Sequence, residues 1–234
     1  MNGTLFIVAT PIGNLGDVTL RALETLKAVD VIACEDTRQT AKLLHQYQIG
    51  TPMVSLHEHN ERGRTPGLLE RLKSGESVAL VCDGGTPLIN DPGWWLAHRA
   101  IEEQIPVSWI PGPTALIGGL VLSGLPMERF VFEGFLPVKS GARRAKLKAL
   151  REEARTTVLY ESPHRLLKTL GDIEAVFGDV PLSVSRELTK HFEETRRGPV
   201  SQIHAHFTEH PPRGEFVLVL PPARLRTNGQ HRSS

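Results

Sequence analysis

The residues best suited to chemistry stand just after short apolar runs. The wholly apolar run 78–82 is followed at once by Asp83-Gly84-Gly85-Thr86-Pro87-Leu88-Ile89. Paired glycines let a backbone approach a ligand with no Cβ in the way. The aspartate beside them can accept hydrogen bonds from a ribose or from an amine. The run 5–9 leads into Thr10-Pro11-Ile12-Gly13-Asn14, which either turns into a helix capped by Asp17 or Thr19 or faces a substrate. The run 31–34 ends in Glu35-Asp36-Thr37-Arg38. Two acids and a base there are costly to bury unless paired, so they pair with one another or face a cleft, and the cleft is the favoured reading. Tyr160-Glu161-Ser162-Pro163-His164-Arg165 and Ser185-Arg186-Glu187-Leu188-Thr189-Lys190 repeat the arrangement in the second half.

Several familiar chemistries are excluded. No Gly-x-Gly-x-x-Gly opens the first βα unit and no Walker A sequence occurs, which disfavours an ordinary dinucleotide or nucleoside-triphosphate site. No Gly-x-Ser-x-Gly elbow supports a serine nucleophile. His57-Glu58-His59 lacks a third ligand at suitable spacing, so no metal is expected. Trp94 and Trp95 read as core or subunit-interface residues rather than base-stacking ones.

The elements that must position these residues alternate. Strands at 5–9, 31–34, 53–56, 78–82 and 107–110 are separated by helical spacings. One carries Leu20, Leu23, Leu26 and Val29; the next, Leu43 and Leu44; a third, Leu68, Leu69 and Leu72; and the last spans 94–101. This βα rhythm predicts a parallel sheet with helices on both faces, with ligands at the carboxyl ends of its strands. Pro111-Gly112-Pro113 marks an interdomain turn, since two prolines continue neither a helix nor a central strand. The domains expected are therefore 1–110 and 114–220. The second has helices at 114–123, 142–153 and 165–177. Its strands fall at 130–135, 157–160, 182–187 and 216–220, with a further candidate at 191–197. Its less regular alternation predicts a mixed sheet. The polar, basic, pattern-free stretch 221–234 reads as a disordered tail.

Composition sets broader bounds. The chain has 234 residues, 40% hydrophobic and 23% charged, with a formal net charge of +1. That balance gives no support for nucleic-acid binding by bulk charge. A basic cluster does stand at Lys139, Arg143, Arg144, Lys146, Lys148, Arg151 and Arg155. The two cysteines, Cys34 and Cys82, lie in apolar runs and read as buried thiols in a reducing compartment. The first apolar run lacks a basic flank, and none approaches the ~20 residues of a membrane span, so a cytoplasmic protein without membrane contact is expected.

Seven segments then fall in one order. They are Thr10-Pro11-Ile12-Gly13-Asn14-Leu15, Glu35-Asp36-Thr37-Arg38, the stretch from Asp83-Gly84-Gly85 to Asp91-Pro92-Gly93, Pro111-Gly112-Pro113, Phe132-Glu133-Gly134-Phe135-Leu136-Pro137, Tyr160-Glu161-Ser162-Pro163-His164-Arg165 and Arg186-Glu187-Leu188-Thr189-Lys190. Over about residues 4 to 220 the chain resembles the bacterial 16S rRNA (cytidine-2′-O)-methyltransferases of the tetrapyrrole-methylase-like class. The resemblance implies two α/β domains with a cleft between them and a homodimer. It also implies S-adenosyl-L-methionine as cofactor and 16S rRNA of the small ribosomal subunit as partner. Carried over, the donor-binding set is Pro11, Asp83, Gly84, Gly85, Leu88, Thr114, Ala115, Tyr160 and Leu188. Ribose methylation needs a base or an oxyanion stabiliser. Candidates are Glu35, Asp36 and Glu187, with Arg38 or Lys190 as the electrostatic helper and Glu35 or Glu187 preferred as base. Two departures stand out: Gly84 replaces the usual alanine, and the small helical domain common after the last strand is not seen. A tetrapyrrole-type small-molecule methylase and a non-catalytic RNA-binding or assembly protein are the competing readings.

Overall fold

The computed structural model describes residues 2–226 and divides into two units, Met1–Thr114 and Ala115–Ser234. The first unit alternates β1 (Leu5–Val8), α1 (Leu20–Ala28), β2 (Val31–Cys34), α2 (Thr37–Gln46), β3 (Met53–Ser55), α3 (Glu61–Lys73), β4 (Val78–Val81), α4 (Trp94–Glu102) and β5 (Val107–Ile110). All its strand pairings are parallel, in the order β3-β2-β4-β1-β5. Strands β2 and β4 are buried along their length because helices cover both faces. Alternate residues supply the two cores. Leu5, Ile7, Val31, Ala33, Val78 and Leu80 pack with α3 and α4, whereas Val8, Ile32, Cys34, Ala79 and Val81 pack with α1 and α2. Both cysteines are buried and free. β4 lies between β1 and β2, so three strand ends that carry candidate chemistry are neighbours along one edge.

The second unit contains α5 (Ala115–Ser123), β6 (Phe130–Phe135), α6 (Ser140–Ala149), β7 (Thr156–Glu161), α7 (Leu166–Phe177), β8 (Pro181–Arg186), β9 (Glu194–Pro199), α8 (Val200–Glu209), β10 (Phe216–Leu220) and the single turn α9 (Ala223–Arg226). Its sheet is mixed, ordered β6-β7-β10-β8-β9, with only β6 and β7 parallel. Leu147, Leu166, Leu170, Ile173, Ile203 and Phe207 pack with Leu159, Val184 and Leu218 in one core. α5 lies against the sheet so closely that a Cβ on Gly119 would fall 2.4 Å from Val217.

The structure corrects two expectations from sequence. α8 is an additional helix, and its Val200, Ile203 and Phe207 carry an i, i+3, i+7 apolar pattern. The supposed tail is structured as far as Arg226. The Ala223 N–H donates to the Glu153 carbonyl, and the Arg226 guanidinium donates to the carbonyls of Leu150 and Arg151 while lying 4.5 Å from the Phe177 ring centre. Residues 227–234 lie outside the described residues.

The basic cluster on α6 is partly structural. Arg143 and Asp172 are each only 3% exposed, and their side chains meet at 2.6 Å, with Arg144 and Ser140 completing the carboxylate's bonds. Removing one member leaves a buried charge without a partner. Asp172→Ala should therefore lower unfolding stability by about 3–5 kcal/mol, read from the denaturant midpoint at unchanged slope.

Candidate active site

The carboxyl edge of the first sheet is tied together by backbone bonds. Thr10 and Gly85 exchange two N–H···O bonds of 2.9 Å, and the Thr10 hydroxyl donates to the Cys82 carbonyl at 3.2 Å. The chain leaving β4 is thereby held against the chain leaving β1. Gly85 has φ +99°, which a side-chain-bearing residue adopts only with strain. A Cβ on Gly84 would sit 3.0 Å from the Pro11 carbonyl oxygen. The close approach of this loop to Pro11 and Ile12 therefore depends on both glycines. Farther along, Leu88 and Asn90 also take left-handed φ values of 74° and 67°. Such residues persist only where surroundings hold them, and they concentrate at functional sites.

Glu61 supplies part of that hold. Its carboxylate accepts the backbone N–H of Gly93 at 3.1 Å and of Trp95 at 2.6 Å. It thus caps the start of α4 and fixes the far end of the 83–93 loop. Gly93 itself has φ +111°, and a Cβ there would lie 2.5 Å from the Leu80 side chain. Sequence reading misses Glu61 because its partners are 32 and 34 residues away.

The acids around this loop differ sharply in state. The Asp83 carboxylate, exposed to solvent, accepts the Asp36 N–H at 3.1 Å, linking the β2 and β4 exits. Glu35 stands beside it. Burial raises the Glu35 pKa, and the Asp83 and Asp91 charges raise it further, against a partly offsetting bond from the Asp83 backbone. Asp36 is the opposite case. It caps α2 through the Arg38 N–H at 2.8 Å and pairs with the Arg38 guanidinium at 2.7 Å. Those bonds hold its pKa down at about 2. The Asp36–Arg38 pair is satisfied locally, contrary to the favoured reading of the whole segment as facing a cleft. Among the described residues no group of three or more His, Cys, Asp or Glu is arranged to hold a metal ion, and no helix is long and apolar enough to cross a membrane.

In the second unit the remaining candidates gather around α5. The Tyr160 hydroxyl accepts the Leu116 N–H at 3.1 Å, at the first turn of α5, and the Tyr160 ring packs against Phe132 and Phe135. Leu188 is buried, and its Cδ1 would contact a Cβ on Gly118 at 3.4 Å. Ala115, Tyr160 and Leu188 thus share one neighbourhood, with Thr114 joined to Ala115 by the chain. Glu187 and Thr189 flank Leu188 with left-handed φ values of 49° and 66°. Glu187 accepts from Lys190 at 2.9 Å and from the Glu215 N–H at 3.3 Å. Burial opposes the Lys190 charge, but the Glu187 and Glu215 carboxylates outweigh it and raise its pKa. The two candidates Glu187 and Lys190 therefore neutralise one another.

Removing the cap should loosen the loop locally. Glu61→Ala is expected to speed amide exchange at Gly93 and Trp95 by about tenfold or more, through the loss of bonds to a charged acceptor. Exchange in β2 should stay unchanged. Equal exchange at all these amides in wild type and variant would remove Glu61 from this role.

Comparison with known proteins agrees with this architecture. The sequence profile of Tetrapyrrole (Corrin/Porphyrin) Methylases matches residues 4–204. A Synechocystis protein named ribosomal RNA small subunit methyltransferase I is 54% identical, over 93% of this chain and 78% of that protein. A Thermotoga maritima protein of the same name is 47% identical, over 93% of this chain and 98% of that protein, so relatives without a long extension beyond the aligned region do occur. Among solved structures, a diphthine synthase superposes with a TM-score of 0.70 at 15% identity, over 96% of this chain and 93% of that one, which supports the fold. The chain belongs to the tetrapyrrole methylases and, within them, to the family of the ribosomal RNA small subunit methyltransferase I proteins.

Proposed function

We propose that this methyltransferase moves a methyl group from S-adenosyl-L-methionine to the ribose 2′-hydroxyl of a cytidine in 16S rRNA of the small ribosomal subunit. The family assignment supports the reaction class and the RNA. The observation that carries the site is the exposed Gly84 backbone packed on Pro11 at the carboxyl edge of the sheet, beside the exposed Asp83 and near Glu35 and Asp91. Those residues fit the cofactor. The exposed Gly84 backbone can offer its polar groups to a ligand, the exposed Asp83 carboxylate suits ribose hydroxyls or an amino group, and clustered acids favour a cationic sulfonium. When bound, the cofactor supplies an activated methyl group whose sulfur leaves as a neutral thioether. The proposed donor contacts are Pro11, Asp83, Gly84, Gly85, Leu88, Thr114, Ala115, Tyr160 and Leu188.

The protein's own contribution is alignment and one proton. A ribose hydroxyl is a weak acid, so its proton must be accepted as the oxygen attacks. Glu35 is the best base: burial and the neighbouring carboxylates raise its pKa, whereas Asp36 is held at about 2 by Arg38 and Glu187 is bonded to Lys190. Arg38 has its guanidinium on Asp36, and Lys190 its ammonium on Glu187, so both are weaker oxyanion stabilisers than a free cation would be. Homodimer formation and a cytoplasmic setting complete the proposal, the first checked by sedimentation.

Three outcomes test this. Tritiated methyl transfer to undermethylated small subunits should label one cytidine, and label on a tetrapyrrole instead, or none on either, rejects the reading. Glu35 works as a base only above its raised pKa. The rate constant kcat/KM should therefore rise with pH through a value above the ordinary glutamate ~4.3, and Glu35→Gln should abolish that limb. Asp83→Asn removes one of the charges that raise Glu35, so the limb should move to lower pH, and donor affinity should fall about tenfold or more. An unmoved limb would exclude Glu35.

A further inference from the structure

The starts of α3 and α4 carry a surface that the donor site does not use. Trp94 is 59% exposed, and its ring stacks on His98 at 4.8 Å with an interplanar angle of 8°. The sequence reading of Trp94 as a core residue is thereby excluded. Beside it the Arg62 guanidinium lies 5.3 Å from the Trp95 ring centre, and Arg62 and Arg64 are both exposed. Farther down α3 the bases are paired, Arg71 with Glu76 and Lys73 with Glu70 and Glu103. No such pair involves Arg62 or Arg64 among the described residues. Cations in the first turn of a helix oppose its dipole, so helix stability does not account for these two. The same helix start contains Gly63, Pro66 and Gly67, which are poor helix formers. Local propensity thus works against the very turn that presents the arginines, and its acid, Glu61, is bonded to Gly93 and Trp95. A groove of about 380 Å³ between the two helices is lined by Arg62 and Trp95 together with Glu70, Lys73, Arg99 and Glu103, whose charges are paired.

Both helix starts lie at the carboxyl edge of the sheet, and α4 follows the 83–93 loop directly. We propose that this rim binds single-stranded RNA: a nucleobase stacks on the open face of Trp94, with His98 supporting the ring from behind, and Arg62 and Arg64 meet backbone phosphates. The proposal rests on the RNA reading above and names where strand next to the target nucleotide is held. An exposed aromatic face and unpaired cations match the two chemistries of a single strand, a π-face on every base and a phosphate at every step. An apolar protein partner would instead bury both arginines without counter-charge.

The test uses the full chain with Trp94→Ala, Trp94→Phe and the double variant Arg62→Ala/Arg64→Ala. Filter binding of a short single-stranded oligoribonucleotide is followed over a salt series. Methylation of undermethylated small subunits and calorimetric titration of S-adenosyl-L-methionine are run alongside. Trp94→Ala should weaken oligoribonucleotide binding about tenfold and raise KM with little change in kcat, while Trp94→Phe keeps most of the affinity. The double variant should flatten the log–log salt dependence by about 0.7 for each phosphate that an arginine no longer meets. Cofactor affinity should be unchanged in all three. Wild-type affinity and salt slope in Trp94→Ala and in the double variant overturn the proposal. So does a Trp94→Ala protein that falls apart into monomers while binding RNA normally, which would make this rim an interface between copies. If the wild-type enzyme leaves small subunits unmethylated yet Trp94 still governs oligoribonucleotide binding, the catalytic reading fails and the RNA surface stands.

Discussion

Two hydrogen bonds between Thr10 and Gly85 set the geometry on which the site depends. Parallel neighbours such as β1 and β4 end side by side, but their following loops are free to splay apart. The reciprocal bonds clamp them at the point where each leaves the sheet, with the Thr10 hydroxyl adding a third bond to Cys82. Everything useful on this edge follows from the clamp. Pro11 is brought over Gly84, the Gly85 backbone is held at a conformation that favours glycine, and Asp83 is turned toward the exit of β2, where it accepts the Asp36 N–H. The far end of the same loop is secured separately by Glu61, so a strained segment is fixed at both ends.

Charge around that loop and elsewhere follows one pattern. Where an acid has a near cation it is engaged: Asp36 by Arg38, Glu187 by Lys190, Asp172 by Arg143 and Arg144. Glu35 also stands near Asp83 and Asp91, and it carries the consequence as a raised pKa. Mutual repulsion among carboxylates destabilises a fold unless something offsets it. A cationic ligand relieves the repulsion, and a proton-accepting carboxylate exploits it. The engaged pairs are structural: Asp36 starts α2, and the Glu187 cluster braces the turn on which Leu188 is presented.

Much of this is legible in the sequence. The alternation of apolar runs and helical spacings points to the parallel sheet, and Asp83 and Glu35 follow its strands β4 and β2 as the sequence suggests. What stays hidden depends on bonds between distant residues. The insertion of β4 between β1 and β2 is a matter of topology, which periodicity does not encode. Glu61 looks like one more polar residue after His57-Glu58-His59, because nothing local reveals that its partners are Gly93 and Trp95. α8 carries its apolar pattern openly, but its histidines and its start immediately after β9 mask it. The competition for Asp36 is resolved by Arg38 only two residues away, a bond that the bare sequence allows without requiring.

The central claim is that the backbone at Gly84 and Gly85, beside Asp83, receives the methyl donor. Titrating S-adenosyl-L-methionine into isotopically labelled protein and following backbone amide resonances addresses it directly. The account predicts saturable shifts at Gly84, Gly85 and Leu88. Unmoved resonances at those three positions, with saturable shifts elsewhere in the chain, would contradict it.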